Sequence, residues 1–392
     1  MSMVMEAAED AWARGYFNVP ENMVCANHID ETAIRLFINR TGTRGTCDYC
    51  GHRKIVAELE TIVQYIMDAV AYFYTDPANF MSYNSAEGGY MGNVFSASEI
   101  LQEHFQIDID DNKLFDDIFN SIDDNKPWSN EFEYYDHEGE IRLEHWGFFK
   151  EVIKNKSRYF FSSSLRFKTD FYALNAYDIL KHIDSIVRQF KLITILPSGT
   201  TLYRCRQHAI KDKINEAKHL CSPPDEYAIY PNRMSPAGIS MFYGAFELET
   251  SLLETLNLAD KKNTMYSYGV FKTRNDLKIL DLSKCPPVPS MLEQRQWKKY
   301  YLITFLNAFI ADLTRSIEKD GKSHIEYVPT QIVTEYFRYT FSTRKFRGLD
   351  GIIYPSSKHK GGVACVLFMD YEESLKELNF EKVAKRKISS RL

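Results

Sequence analysis

At Leu196-Pro197-Ser198-Gly199 the apolar pattern of this 392-residue chain changes period, and that break divides what it can fold into. Before it, Ile55, Leu59, Ile62, Ile66, Val70 and Phe73 recur at helical spacing and form one apolar stripe. Ser96 followed by Glu99 reads as a capping box opening another helix, and 171–190 is a third helical stretch. After the break come short apolar strands at 200–204, 239–243, 266–271, 278–282, 351–354 and 363–368. Helices are expected among them at 249–258, 291–317 and 330–342. The fold class is therefore multidomain, an α-helical N-terminal half with a small metal-binding element followed by an α+β domain. At roughly 150 residues per domain the length agrees. With 18 Gly and 13 Pro, a turn-rich all-β chain is excluded. The expected divisions are 1–53, 54–190, 191–375 and a basic tail, 376–392, which holds five Lys/Arg and no acid from Lys382 onward.

The metal-binding element is Cys25-x2-His28-x18-Cys47-x2-Cys50. Two pairs of soft ligands, each separated by two residues, suit a tetrahedral structural zinc. His52 could take the place of His28 as the fourth ligand. Gly45 and Gly51 flank the second pair and permit the turn it needs. Four protein ligands leave no open position for catalysis.

Seven cysteines in a chain this long do not make a secreted disulfide framework. The N-terminus is acidic and helical rather than a signal peptide, and the most apolar run, 300–313, is too short for a membrane span. A soluble cytoplasmic protein is expected. With 48 Lys+Arg against 53 Asp+Glu, nothing global asks for nucleic acid or an anionic membrane. Between Asp108 and Glu140 twelve acids face only Lys113 and Lys126, a solvated acidic surface. Aromatics are unusually rich, at 14%, enough to line a ligand pocket as well as cores.

A second constellation lies in Arg233-Met-Ser-Pro-Ala-Gly238-Ile-Ser-Met-Phe-Tyr243-Gly-Ala-Phe, followed by Glu254 within Ser-Leu-Leu-Glu-Thr-Leu. Pro236 and Gly238 impose a turn between Arg233 and the following strand. Leu252, Leu253 and Leu256 make much of the Glu254 helix apolar, and periodicity leaves its carboxylate open between the inner face and the surface.

These runs, with Tyr203-Arg204-Cys205-Arg206 before them and Gly348–Phe368 after them, resemble the RES domain over about 196–370. The N-terminal half, with Cys47-Asp-Tyr-Cys50-Gly51, is similar to the zinc-bearing, HEPN-like helical domains found ahead of some RES domains. The resemblance implies a fold like that of ADP-ribosyltransferases and an NAD⁺-degrading activity that breaks the nicotinamide–ribose bond, as in toxins and defence effectors. It carries the family's Arg onto Arg233, its Tyr onto Tyr243, its Glu onto Glu254 and its Ser onto Ser356, with Ser357 a close rival. Arg204, Tyr203, Ser357 and Gly238 are the expected substrate-binding residues. Many RES domains carry an Asn where this chain has Ala364-Cys365. The acceptor stays open between water, phosphate and a protein side chain, the last being ADP-ribosyl transfer. A catalytically degenerate NAD-binding module is the alternative from another class. HEPN ribonucleases carry an Arg and a His separated by four to six intervening residues, and none of the ten His here has an Arg at that separation before it. Free NAD⁺ hydrolysis implies control, by an antitoxin or regulatory partner, by residues 1–190, or by homo-oligomer assembly.

Overall fold

The structure, a computed structural model, describes residues 3–130, 143–159, 176–315, 323–344 and 346–388. The chain forms two compact units, one of residues 1–140 with 288–300 and the other of 141–287 with 301–392. These are not the divisions expected at 53 and 190. The 53/54 boundary falls inside a strand, and the helices Leu143–Asn155 and Ala176–Gln189 bury their apolar residues in the core of the second unit.

In the first unit, β1 (Met23–Cys25), β2 (Thr43–Thr46) and β3 (Arg53–Glu58) make a small antiparallel sheet in the order β1-β3-β2. Ile55 thus belongs to β3, and the expected helix begins later, at Leu59–Phe73. The apolar stripe runs on across this junction because β3 and the helix follow one another without a break. That helix buries Leu59, Ile62, Val63, Ile66, Met67, Val70 and Phe73, each contributing roughly 1.5–3 kcal/mol if a large apolar chain. Tyr65 Oη donates to the Leu292 carbonyl, and Tyr72 stacks on Trp297 at 4.0 Å. The Ser96–Glu99 capping box is present, with Glu99 N to Ser96 Oγ at 3.2 Å and Ser96 N to Glu99 Oε2 at 2.7 Å. A short ribbon, β4 (Tyr83–Asn84) and β5 (Gly89–Tyr90), lies between these helices in sequence.

The second unit is built on an eight-stranded mixed sheet. Its strands are β6 (Ile193–Leu196), β7 (Thr201–His208), β8 (Phe242–Ala245), β9 (Met265–Thr273), β10 (Leu277–Asp281), β11 (Gly351–Pro355), β12 (Val363–Leu367) and β13 (Leu378–Lys387). Their order is β13-β9-β7-β8-β12-β11-β10-β6, and only β10 and β11 run parallel. Residues 378–387, expected in a solvated tail, are instead the edge strand β13, paired along its length with β9. Edge strands rich in lysine are a common guard against edge-to-edge association, which is why the sequence reads like a tail.

Alternation along the central strands feeds two cores. Leu280, Ile352, Ala364 and Val366 join Phe305, Phe309, Val333 and Phe337 from the helices Trp297–Thr314, Val328–Glu335 and the turn after it. Ile279, Ile353, Cys365 and Leu367 join Leu202, Phe242 and Phe271. Between β7 and β8 the ladder shrinks to one register pair, Tyr203 with Ala245. A sheet parted at its middle leaves backbone groups and side chains available to a cleft.

Among the described residues no helix is long and apolar enough to cross a membrane.

Candidate active site and metal centre

The cleft at that parting opens into a cavity of about 460 Å³. Arg204 on β7, Arg233 on the loop before β8, Tyr243 on β8 and Glu254 on the helix Leu248–Thr255 all line it. Four separate stretches of chain therefore converge on one space, and only the tertiary fold brings them there.

Each side chain is fixed locally. The Arg233 loop is braced by the helix Val328–Glu335, where Thr330 Oγ1 donates to the Arg233 carbonyl at 2.5 Å. Gln331 Nε2 donates to the carbonyls of Asn232 at 2.8 Å and Ser235 at 3.2 Å. Met234 is fully buried, anchoring the loop while the Arg233 side chain turns to the cavity. Arg233 Nη1 lies 3.6 Å from Glu254 Oε2, and the two side chains are only 15% and 17% exposed. The other carboxylate oxygen, Oε1, accepts from Ser356 Oγ at 2.5 Å. Ser356 Oγ in turn accepts from the backbone N–H of Lys358 at 3.2 Å and His359 at 3.1 Å, so its proton is aimed at Glu254.

The Ser356 loop can sit this close because of a glycine. A Cβ on Gly362 would meet Thr250 Oγ1 and His359 Nδ1 at 2.5 Å, and these two atoms are themselves hydrogen-bonded at 2.8 Å. Gly362 thus lets the loop close on the helix that carries Glu254.

Arg204 Nη1 donates to the Tyr243 carbonyl at 3.1 Å, taking over where the β7–β8 ladder ends, and its guanidinium lies 5.1 Å from the centre of the Phe242 ring. Burial pulls the guanidinium down to about 10, so it stays charged at neutral pH. Tyr243 Oη shares a hydrogen bond of 3.0 Å with Ser235 Oγ. Burial pushes that phenol up to about 12, against the smaller opposing effects of Ser235 and the Met234 backbone, so it remains a neutral ring with a hydroxyl.

The structure does not bring every expected residue to the cavity. Ser356 reaches Glu254 rather than lining the space, and Ser357 Oγ donates to the Thr314 carbonyl at 2.7 Å. Tyr203 is not among the lining residues; Arg204 and Cys205 hold the β7 side of the cavity. Gly238 sits in the turn with φ +85°, its N–H bonded to the Ala228 carbonyl at 2.7 Å. Ala364 lines the cavity and so presents a methyl group, while Cys365 is buried in the opposite core. Tyr354, Tyr227 and Tyr230 also line the cavity and were not singled out from the sequence. Tyr354 lies within the Gly348–Phe368 run, in a strand that reads as pure core. Tyr230, 76% exposed, lies in a loop with no periodicity to read.

The metal-binding element assembles in the first unit. The ligand atoms of Cys25, His28, Cys47 and Cys50 all lie within 4.8 Å of one another. Cys25 Sγ and Cys50 Sγ are 3.8 Å apart, and Cys47 Sγ and His28 Nε2 are 3.5 Å apart. The edge of a tetrahedron with bonds of about 2.3 Å is about 3.7 Å, so this donor set fits a metal ion. The ligands come from β1, the turn after it, and the β2–β3 turn. Gly51, at φ +70°, closes that second turn by donating to the Cys47 carbonyl at 2.8 Å. The expected His28 is the fourth donor; His52 is exposed, and its carbonyl accepts from Cys47 N at 3.0 Å. Although burial opposes it, backbone N–H groups of Cys50, Tyr49 and Cys25 lower the Cys47 thiol, while burial raises that of Cys25. His28 Nδ1 lies 3.2 Å from Asp111 Oδ2, an outer carboxylate that fixes the ring with Nε2 toward the ligand cluster. Asp111 also caps the helix Asn112–Ser121, and Asp117 accepts from Tyr49 Oη at 2.7 Å. Two members of the acidic run are therefore structural rather than solvated.

Comparison with known proteins finds two family models along the chain. Residues 40–166 match the family model of HEPN/RES N-terminal domain 1, and residues 201–379 match that of the RES domain. No curated protein and no solved structure matches the chain. With a helical N-terminal part that carries a Cys/His cluster, and a mixed-sheet α+β part whose cavity is lined by Arg233 and Glu254, the chain is a RES domain protein with a HEPN/RES N-terminal domain 1 ahead of the RES domain.

Proposed function

We propose that this chain is an NAD⁺-degrading enzyme that cleaves the nicotinamide–ribose bond, acting as a toxin or anti-phage defence effector. The RES domain supports an NAD-related, toxin-like function in general. The observation that carries the finer reading is the Glu254 carboxylate at the cavity wall, with Ser356 donating to one oxygen and Arg233 beside the other.

Cleaving the glycosidic bond leaves an oxocarbenium-like ribose, and a carboxylate held in place beforehand stabilises that positive charge. Glu254 serves this role. Arg233 and Ser356 act on Glu254 and are positioning residues in this arrangement. Tyr243 and Tyr354 offer ring faces and hydroxyls to the nicotinamide and ribose. Glu254 can equally orient water, phosphate or a protein hydroxyl. Incubating the full chain with NAD⁺ and weighing the products separates these acceptors: ADP-ribose, ADP-ribose 1″-phosphate, or a mass increase on a protein. Intact NAD⁺ after prolonged incubation would refute cleavage. It would favour an NAD-binding module instead, a reading supported by the methyl of Ala364 in the cavity wall.

Ser356→Ala removes one charge-assisted hydrogen bond to the catalytic carboxylate. Such a bond is worth about 1.5–3 kcal/mol, so turnover should fall about tenfold or more. The KM for NAD⁺ should hold, since Ser356 does not line the cavity. An unchanged turnover would remove Ser356 from the mechanism.

For the Cys25, His28, Cys47 and Cys50 cluster the proposed ion is a structural zinc. All four positions are taken by protein, so it would supply folding free energy and no chemistry.

A further inference from the structure

A second cavity, of about 520 Å³, abuts the first and shares with it Arg204, Cys205, Pro223 and Tyr227. Its remaining wall includes Arg206, Lys218 and His219, and among the described residues no carboxylate lines it. We infer that this second cavity is an anion subsite that takes the phosphates at the adenosine end of the dinucleotide, with Arg206, Lys218 and His219 as its donors. The inference rests on the reading that the first cavity takes the nicotinamide riboside end.

The donors are arranged for this. His219 Nδ1 accepts from the backbone N–H of Asn215 at 3.4 Å and of Glu216 at 3.3 Å. A nitrogen that accepts carries no proton, so the ring proton sits on Nε2, which is a donor. Arg206 Nη1 donates to the His219 carbonyl at 3.1 Å, tying the arginine to the turn that carries the histidine. Lys218 Nζ pairs with Glu216 Oε2 at 3.0 Å, with both side chains more than half exposed. An exposed pair of that kind is worth little and yields its lysine to a phosphate. Arg204 stands in the wall between the two spaces.

The topology of the substrate matches. In NAD⁺ the phosphates lie one ribose away from the carbon that loses nicotinamide, so a phosphate subsite has to adjoin the chamber that holds Glu254. A free phosphate acting as acceptor would have to reach that carbon itself, and Glu254 borders only the first cavity. The geometry therefore favours the substrate's own phosphates over an acceptor phosphate.

Calorimetry on the full chain tests this without requiring turnover. The probes are ADP, inorganic phosphate and nicotinamide riboside, against the parent and Arg206→Gln/Lys218→Gln. Each charge-assisted bond is worth about 1.5–3 kcal/mol, so ADP should bind the double variant at least tenfold more weakly. Nicotinamide riboside should bind both alike, and the KM for NAD⁺ should rise in parallel with the loss of ADP affinity. Arg206→Lys/Lys218→Arg, which keeps both charges, should retain most of the ADP affinity and so excludes simple misfolding. Equal ADP affinity in parent and double variant would overturn the subsite. Inorganic phosphate binding as tightly as ADP, and lost in the same variant, would overturn the assignment in favour of an acceptor site. If the chain left NAD⁺ intact yet lost ADP binding in the double variant, the subsite would stand and the cleavage reading alone would fall.

Discussion

Glu254→Gln is expected to slow NAD⁺ cleavage by about 10²-fold or more, roughly 2.7 kcal/mol of transition-state stabilisation. The substitution keeps the volume and leaves an oxygen for the Ser356 hydroxyl, so the loop it holds should stay in place. What disappears is the negative charge opposite the developing oxocarbenium. Because that charge matters most in the transition state, kcat should carry most of the loss and KM little of it. A thermal midpoint within a few degrees of the parent shows that the fold is retained. Parent-like turnover would reduce Glu254 to a helix residue that happens to pair with Arg233. Glu247 and Glu249 would then be next to test, though both are mainly exposed and lie near His359 rather than on the cavity wall.

The second large effect is expected from the metal centre. Purified full chain should carry about one zinc ion per molecule, and Cys47→Ala should abolish it. In isolated zinc-finger peptides, structural zinc supplies apparent folding free energy of about 10–16 kcal/mol, comparable with the whole stability of a domain. The four ligands span β1, the following turn and the β2–β3 turn, and His28 is tied through Asp111 to the helix Asn112–Ser121. Losing the ion should therefore unfold the first unit, visible as a separate low-temperature transition in calorimetry. Asp111→Ala should retain the four ligands but weaken metal affinity about 10–100-fold, the usual cost of removing an outer carboxylate. Protein purified without chelator and free of zinc would end the proposal.

The parts that were legible in the sequence are those where chemistry is local. Cys25-x2-His28 and Cys47-x2-Cys50 each place two ligands within one turn, and Ser96 with Glu99 caps a helix three residues away. The Pro236–Gly238 turn, and Glu254 in a leucine-rich helix, are of the same kind. Periodicity found six of the eight strands of the large sheet. It missed β6, Ile193–Leu196, and β13, whose Lys382, Lys385, Arg386 and Lys387 imitate a solvated end. It also carried a helix back over Ile55, since an apolar stripe does not show where extended backbone ends and helix begins.

The tertiary structure decided what depends on contacts far apart in the chain. Ser356 rather than Ser357 serves Glu254 because the Gly362 approach turns one hydroxyl to the carboxylate, while Thr314 takes the other. Asp111 is a partner of His28 rather than a surface charge, and Tyr354, within an apolar strand, borders a cavity. By itself the sequence marked the candidate residues, Arg233, Tyr243, Glu254 and the Cys/His pairs, since residue type and short spacing are local properties of the chain. Only the folded chain decided which of them meet, because the parting of β7 from β8 that makes the cavity depends on register between strands about forty residues apart.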